Sequence, residues 1–426
     1  MANIGIITAP VPGHINPFLL IGKELMNNGH NVTFFNIEDV MEKVLSEGIN
    51  FHVIAKGLMP RGSVKSLQKR LADLSGTEAM RYWQEDYIKL LKLMLISLPT
   101  AIVKEKIDFL LVDQSDGAGG SVADHLGIPY VTLAIGCNMS WEPDLPPVFT
   151  PWGYNASEGG RTRNTIAMKK IKENFQPLTD LINYYRERWN LPLFESESEV
   201  FPTSDLAQIS QMIKEFDFPR KQLAENFLYT GPFRGVMTKS CDFPYEKRNG
   251  KPLVYVSLGT IINLKPEIFL EIGNACKDLD VQLVFALGAP LEDHKELQQI
   301  SGDPIIVPYA PQFEVLSHAS LCITHAGLNT VLDALGNGVP LIAVPISFDQ
   351  PGTAERIKYH HLGKVLNIKY INKELIRETI AEVLEDQNIQ ARCRDMQQLL
   401  SNTTGIKTTV NHIEEIIHKS LKPIQV

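Results

Sequence analysis

Three stretches in the second half of the chain bring together residue types suited to a polyanionic, hydroxyl-rich ligand. Tyr309-Ala310-Pro311-Gln312 offers a flat ring that can stack on a base and an amide that can hydrogen-bond to it. Thr324-His325-Ala326-Gly327-Leu328-Asn329-Thr330 places a histidine and a glycine at a helix start. Glycine lets the backbone approach closely, and a helix N-terminus attracts anions such as a diphosphate by about 0.3–1 kcal/mol at exposed sites. Asp333 lies four residues past Asn329, on the same helix face, where a carboxylate can accept both hydroxyls of a ribose. Asp349-Gln350, after Pro345, supplies acceptors and donors for sugar hydroxyls. Ser257-Leu258-Gly259-Thr260 adds hydroxyl and backbone donors for phosphate oxygens. Each piece alone is weak; as an ordered set they suit a nucleotide-sugar.

Elements able to position these residues are visible in the apolar patterning. Leu253–Leu258, Leu283–Leu287, Ile305–Val307, Leu321–Thr324 and Pro340–Val344 read as short buried strands, so the three stretches fall at successive strand exits. Ligands of open α/β sheets bind beyond the carboxyl ends of such strands. The first half repeats the strand–turn–helix pattern. Ile4–Ala9 is a strand, Pro12-Gly13-His14 a turn, Pro17–Asn28 a helix and Val32–Phe35 the next strand. Phe109–Val112 and Tyr130–Leu133 follow, separated by a helix near Ser121–His125. Near-continuous apolar strands alternating with helices imply parallel sheets covered on both faces. Glycine, proline and charge concentrate near 232–250, which divides the chain into domains 1–235 and 236–426. Val410, Ile413, Ile416 and Ile417 at helical spacing predict a closing amphipathic helix over about 406–420.

Composition narrows the classes. The chain has 426 residues, 44% apolar and 21% charged, which fits a globular protein of two domains. Forty-one basic against 49 acidic residues leave a net charge of −8, so there is no electrostatic footprint for nucleic acid. The five cysteines are scattered without C-x-x-C spacing, arguing against a disulfide framework or zinc site and for a reducing cytoplasm. Met1–Ile7 lacks a basic n-region and reads as a first strand instead of a signal peptide. His360-His361 are neighbours that point apart on a helix, His318 falls in a helix packing on the sheet, and no D-x-D, H-E-x-x-H or phosphate-loop motif occurs. No metal site is expected.

The run Tyr309-Ala310-Pro311-Gln312…Thr324-His325-Ala326-Gly327-Leu328-Asn329-Thr330…Asp333…Gly338-Val339-Pro340…Asp349-Gln350 closely resembles the signature box of the UDP-dependent glycosyltransferases. Val256–Thr260, Ala207–Gln211, Phe218–Lys221, Asp113-Gln114 and Glu142–Asp144 look most like the carotenoid (zeaxanthin) glucosyltransferase branch. The resemblance implies an α/β fold of the GT-B type, with two Rossmann-like domains facing across a deep cleft. It implies an inverting, metal-independent enzyme in which the UDP-sugar is a co-substrate and no cofactor is bound. By resemblance His14, in Pro12-Gly13-His14-Ile15-Asn16-Pro17, is the catalytic base and Asp113 its carboxylate partner; Asp116, three residues on, is the alternative. Ser257, Gly259, Thr260, Tyr309, Ala310, Gln312, His325, Gly327, Asn329, Thr330, Asp333, Asp349 and Gln350 form the donor site. Two departures stand out: tyrosine at 309 replaces the usual tryptophan, and aspartate at 333 is one methylene shorter than the usual glutamate.

The reaction so implied is direct displacement. His14, with an ordinary pKa of about 6.5, takes the acceptor's proton while the hydroxyl attacks the anomeric carbon. Trp83, Trp141, Phe149 and Trp152 are candidate walls for an apolar acceptor, a hydroxylated carotenoid or instead a macrolide, sterol or phenolic. A carotenoid resides in a membrane, and Ile88–Leu98 is then a candidate peripheral lipid contact; the same stretch also reads as a buried helix. Two rival readings are a nucleotide-sugar epimerase, which needs no acceptor alcohol, and a silent nucleotide-sugar-binding partner subunit.

Overall fold

The computed structural model describes residues 1–421 except 72–73, 75, 197, 236–241, 260–265 and 301. Two parallel sheets organise these residues. The first contains β1 (Asn3–Ile7), β2 (Asn31–Asn36), β3 (Asn50–Val53), β4 (Phe109–Asp113), β5 (Tyr130–Ala134), β6 (Gln208–Ser210) and β7 (Phe227–Tyr229), in the order β3-β2-β1-β4-β5-β6-β7. The second contains β8 (Leu253–Ser257), β9 (Gln282–Ala286), β10 (Ile305–Val307), β11 (Ala319–Thr324), β12 (Leu341–Ala343) and β13 (Gly363–Val365), in the order β10-β9-β8-β11-β12-β13. Strands β4, β8 and β9 are buried along their whole length, as expected of strands covered on both faces. The α/β architecture expected from the apolar runs is therefore present, with strand ends shifted by a residue or two.

In both sheets the chain order reverses at one place, between β1 and β4 and between β8 and β11. Connections leave such a pair in opposite directions and open a crevice at the carboxyl ends of its strands. His14 follows β1 and Asp113 ends β4; Ser257 ends β8 and His325 follows β11. Each sheet thus presents its polar residues at its own switch point.

Three local features differ from expectation. The helix after β1 begins at Pro12, not Pro17, and runs to Asn27. Pro12 at its first position loses nothing by lacking an N–H, because that group has no helical partner there. His318 lies beyond the helix Gln312–Leu316, in the turn before β11. The helix Gln350–Tyr359 stops before His360 and His361, and His361 has φ +55°.

The last helix, Gly405–Ser420, crosses back to the first sheet. Val410, Ile413 and Ile417 are buried with Ile4, Phe18 and Phe34. Thr230 and Thr409 hydroxyls meet at 2.9 Å beneath it. The segment Ile88–Leu98 belongs to the helix Gly76–Lys104, whose Leu90, Leu91, Met94, Leu95 and Leu98 are buried in the core beneath β4. Packing takes up most of that apolar face, in keeping with the buried-helix reading, while Ile96 stays exposed.

Candidate functional site

One cavity of about 410 Å³ opens between the two switch points. His14, Trp83, Phe149, Ser257, Gly259, Gln312, His325, Gly327, Asn329, Thr330, Asp349 and Gln350 all line it, so residues from both halves converge. Met59, Met80, Leu90, Met94, Phe175 and Phe201 extend its apolar side. Trp83 stacks on Tyr87 with ring centroids 4.8 Å apart, and Phe348 meets Trp83 edge-on at 5.9 Å.

His14 occupies the first turn of its helix, where Val11 in extended conformation leads into Pro12. Its Nδ1 lies 2.6 Å from Asp113 Oδ2. The same carboxylate accepts from Thr8 Oγ1 at 2.8 Å, Ser115 N at 2.9 Å and Ser115 Oγ at 2.8 Å, which fixes its plane. Asp113 is 1% exposed, while the His14 side chain is 24% exposed. Burial opposes the charged forms of both groups, but their mutual attraction and hydrogen bond outweigh it. The His14 pKa is raised above its ordinary value and that of Asp113 lowered. With Nδ1 committed to the carboxylate, Nε2 is the nitrogen left for a substrate proton.

Asp116, the alternative partner, has a different task. Its Oδ1 accepts from Ala118 N at 2.9 Å and Gly119 N at 2.6 Å, holding the turn that leads into the helix Gly119–Leu126. It lines the cavity, and burial pushes its carboxyl up to about 7.

On the opposite wall, His325 is pressed between two glycines. A Cβ on Gly259 would fall 2.6 Å from His325 Nε2, and one on Gly327 2.5 Å from it. Gly259 has φ +84°, so both space and conformation require glycine there. Burial lowers the His325 pKa to about 4, against a hydrogen bond with the Ser257 backbone, so this ring is neutral near pH 7. Ala326 has φ +66°, which turns the chain sharply from β11 into the helix Leu328–Gly336.

Several expected donor residues are already engaged. Asp349 Oδ2 accepts from Cys137 N across the cleft at 2.9 Å. Gln350 Oε1 accepts from Ile346 N at 2.8 Å and Ser347 N at 2.9 Å, so its carbonyl shapes its own loop. Asp333 does not reach the cavity wall: Arg234 Nε donates to its Oδ1 at 2.9 Å and Gln312 Nε2 to its Oδ2 at 2.8 Å. Thr330 Oγ1 in turn donates to Gln312 Oε1 at 3.1 Å. Tyr309 and Ala310 stand outside the cavity lining, with Tyr309 49% exposed. Thr260 lies outside the described residues. Trp141 and Trp152 lie outside this cavity's lining: Trp141 lines a smaller pocket that shares Phe149 with it while its indole donates to the Leu145 carbonyl at 2.9 Å, and Trp152 lies under the Arg163 guanidinium at 4.8 Å.

Thr8, Ser115, Arg234, Gln211 and the Cys137 backbone went unnoticed in the sequence. Only Ser115 had a visible signal, as a hydroxyl two residues after a candidate carboxylate at a strand exit. Among the described residues no three His, Cys, Asp or Glu side chains converge as a metal site would require.

Comparison with known proteins gives the family and the fold. The family described as UDP-glucoronosyl and UDP-glucosyl transferase matches residues 23–399. The zeaxanthin glucosyltransferase of Pantoea ananas is 32% identical over 420 residues, covering 98% of this chain and 96% of that protein. The zeaxanthin glucosyltransferase of Pseudescherichia vulneris is 28% identical, with 98% of each chain covered. Among solved structures, the calicheamicin glycosyltransferase CalG4 superposes with a TM-score of 0.71 at 21% identity, covering 99% of this chain and 100% of that one. At that identity the likeness speaks for the fold, the two-domain GT-B arrangement.

Proposed function

Because the chain belongs to the UDP-glucoronosyl and UDP-glucosyl transferase family and is a UDP-dependent glycosyltransferase, we propose that it transfers glucose from UDP-glucose, with inversion, to the hydroxyl of a hydroxylated carotenoid such as zeaxanthin. The observation that carries the mechanism is the His14–Asp113 contact of 2.6 Å on one wall of the shared cavity, with His325 and the start of the helix Leu328–Gly336 on the other. The named carotenoid relatives and the methionine- and aromatic-lined side of the cavity support the acceptor class.

In this reading His14 Nε2 removes the acceptor's hydroxyl proton as the oxygen forms its bond to the anomeric carbon. The bond from that carbon to the diphosphate oxygen breaks, its electrons stay on the departing UDP, and the configuration inverts from α to β. Asp113 stabilises the imidazolium without taking its proton. Negative charge grows on the diphosphate, where backbone N–H groups at the start of the helix Leu328–Gly336 and the turn after β8 would face it. His325, neutral near pH 7 and already hydrogen-bonded to the Ser257 backbone, shapes this wall and adds no charge there. This arrangement asks for no metal and no bound cofactor.

The test is product analysis. Purified protein given UDP-glucose and zeaxanthin should yield mono- or diglucoside by mass spectrometry, with a β anomeric coupling by NMR. His14→Ala should lower product formation by at least about 100-fold while UDP still binds. UDP release with no glycosylated alcohol, or an α-linked product, would contradict the reading.

A further inference from the structure

Pro17 lies inside the helix Pro12–Asn27. A proline carries no N–H, so the carbonyl four residues earlier, that of Gly13, is denied its helical partner. That carbonyl is not idle. Asn329 Nδ2, from the start of the helix Leu328–Gly336, donates to it across the cleft at 2.7 Å. The orientation of the Asn329 amide is set on both sides. A carbonyl can only accept, so the nitrogen must face Gly13, and Asn329 Oδ1 accepts from Gln211 Nε2 at 2.7 Å. Gln211 is 2% exposed and is held in turn by the Ile135 carbonyl and by Phe233 N at 3.4 Å. A buried framework therefore ends in a single N–H aimed at the residue immediately before His14.

We propose that Asn329 is a positioning residue for the transfer. Through the carbonyl that Pro17 leaves open, it sets the His14 turn in register with the helix whose N-terminus faces the donor diphosphate. The inference rests on the donor and base assignments above and adds a coupling between them. Proline at 17 is then part of the device: it reserves one backbone acceptor for the other half of the protein. A Cβ at 13 would meet Asn329 Nδ2 at 3.8 Å, an ordinary contact, so the approach does not itself require glycine there.

Pro17→Ala and Asn329→Ala attack the two ends of this contact. Alanine at 17 restores an N–H that can draw the Gly13 carbonyl toward the helix axis and share its oxygen, which loosens the contact with Asn329. The Pro17→Ala chain should melt at the same temperature or higher, yet lose about 10- to 100-fold in kcat, the scale of a base displaced by about 1 Å. Its KM for UDP-glucose should stay within about twofold. Asn329→Ala should show a similar kcat loss, and the double variant should be no worse than the worse single one, because both act through one contact. A merely structural role would lower melting temperature and activity together. A second readout does not depend on turnover. In histidine-labelled protein the His14 ring resonances should move on UDP binding, and this response should shrink in both variants. Unchanged kcat in Pro17→Ala, an effect of Asn329→Ala on donor KM alone, or an undiminished His14 response would each overturn the coupling. Absence of transfer to every alcohol would count against the proposed reaction, and the resonance measurement would still decide the coupling.

Discussion

Arg234 Nε and Asp333 Oδ1 are 2.9 Å apart, and the guanidinium also lies 4.6 Å above the Phe313 ring. Arg234 belongs to the segment after the first sheet, whereas Asp333 sits on the helix that starts at Leu328. Asp333, the carboxylate that the resemblance assigns to the ribose, is thus held off the cavity wall by a residue from outside the signature box. Burial pushes the Asp333 pKa up, and Arg234 and Gln312 pull against it.

Removing the cation should therefore weaken the nucleotide site. In Arg234→Ala, Asp333 is left as a buried carboxyl without its counter-charge, takes up a proton more readily and holds the amide of Gln312, which does line the cavity, less firmly. UDP should bind about tenfold more weakly, the scale of one hydrogen bond to a charged group, with kcat for transfer nearly unchanged. Calorimetry with UDP checks this. Because ionisation is the cause, part of the loss should return as pH rises; an equal loss at every pH would count against it.

The His14–Asp113 pair makes opposite demands on activity and stability. The base works only when neutral, and its pKa lies above 6.5, so kcat/KM should fall as pH drops through that raised value. Stability runs the other way. A histidine with a raised folded-state pKa adds stability that is fully present below about 6.5 and is lost as pH rises through the folded value. Asp113, with a lowered pKa, adds stability above 3.8 that is lost as pH falls through its folded value. The pair is thus strongest in mildly acid solution, where the enzyme is least active. His14→Ala should lower turnover by about 10²- to 10⁴-fold. Its melting-temperature deficit relative to the parent chain should narrow between pH 6 and pH 9.

Much of this framework is legible in the residue order. The apolar runs gave the parallel strands, and the strand exits brought His325, Gly327 and Asn329 to the cavity, because strand direction alone decides which ends share a rim. What escaped was set by distance along the chain. Arg234 and Asp333 are 99 residues apart and Arg356 and Asp217 139, and no periodicity marks such partners. Trp83 and Trp141 show the other limit. Both are aromatic and near apolar neighbours, but only the helix bearing Trp83 turns its side chain to the cavity, while the prolines after Trp141 fold its indole back on its own loop. The extra turn before Pro17 was hidden because an internal proline reads as a helix boundary.

Asp116 bears on which acceptors can enter. Asp86, Asp116 and Asp349 line the cavity, and no Lys or Arg is among the described lining residues. Around Asp116 stand the Asp113 carboxylate, the Ala118 and Gly119 N–H groups and the Tyr87 phenol, whose own pKa is raised by burial and by Asp116. Because the Asp116 carboxyl is held up to about 7, it becomes charged as pH rises through that value. An apolar carboxylate should then be rejected increasingly against the matching alcohol. Retinoic acid should bind at least about tenfold more weakly than retinol at pH 8, since like charges in a partly desolvated site repel strongly. Asp116→Asn keeps an accepting oxygen and should flatten that pH dependence. Equal binding of acid and alcohol to the parent chain at pH 8 would remove Asp116 from acceptor selection.

The firmest link between the halves is a buried cluster around Asp217. Its Oδ1 accepts from Arg356 Nε at 2.9 Å and from a terminal guanidinium nitrogen of Arg356 at 2.6 Å; its Oδ2 accepts from Arg220 Nε at 2.6 Å and the Tyr229 hydroxyl at 2.6 Å. Arg356 and Asp217 are 1% and 3% exposed. Arg220 also donates to the Ser140 carbonyl at 2.6 Å, fastening the loop whose Cys137 N–H binds Asp349. Burial alone would raise the Asp217 pKa, yet the two guanidinium groups hold it far below the ordinary carboxylate range. Removing Arg356 takes away one of the two cations that offset the burial of Asp217, leaving Arg220 as the other, so Arg356→Ala should cost about 3 kcal/mol in urea unfolding. Arg356→Lys keeps the charge but cannot grip one oxygen with two nitrogens, and should recover only part of the loss. Arg61→Ala, which breaks an exposed pair with Glu42, should leave the midpoint unmoved. Since Asp217 sets the Cys137 loop through Arg220, Arg356→Ala should also raise the KM for UDP-glucose under conditions where the chain is fully folded. An unaltered KM in folded Arg356→Ala protein would confine the cluster to stability.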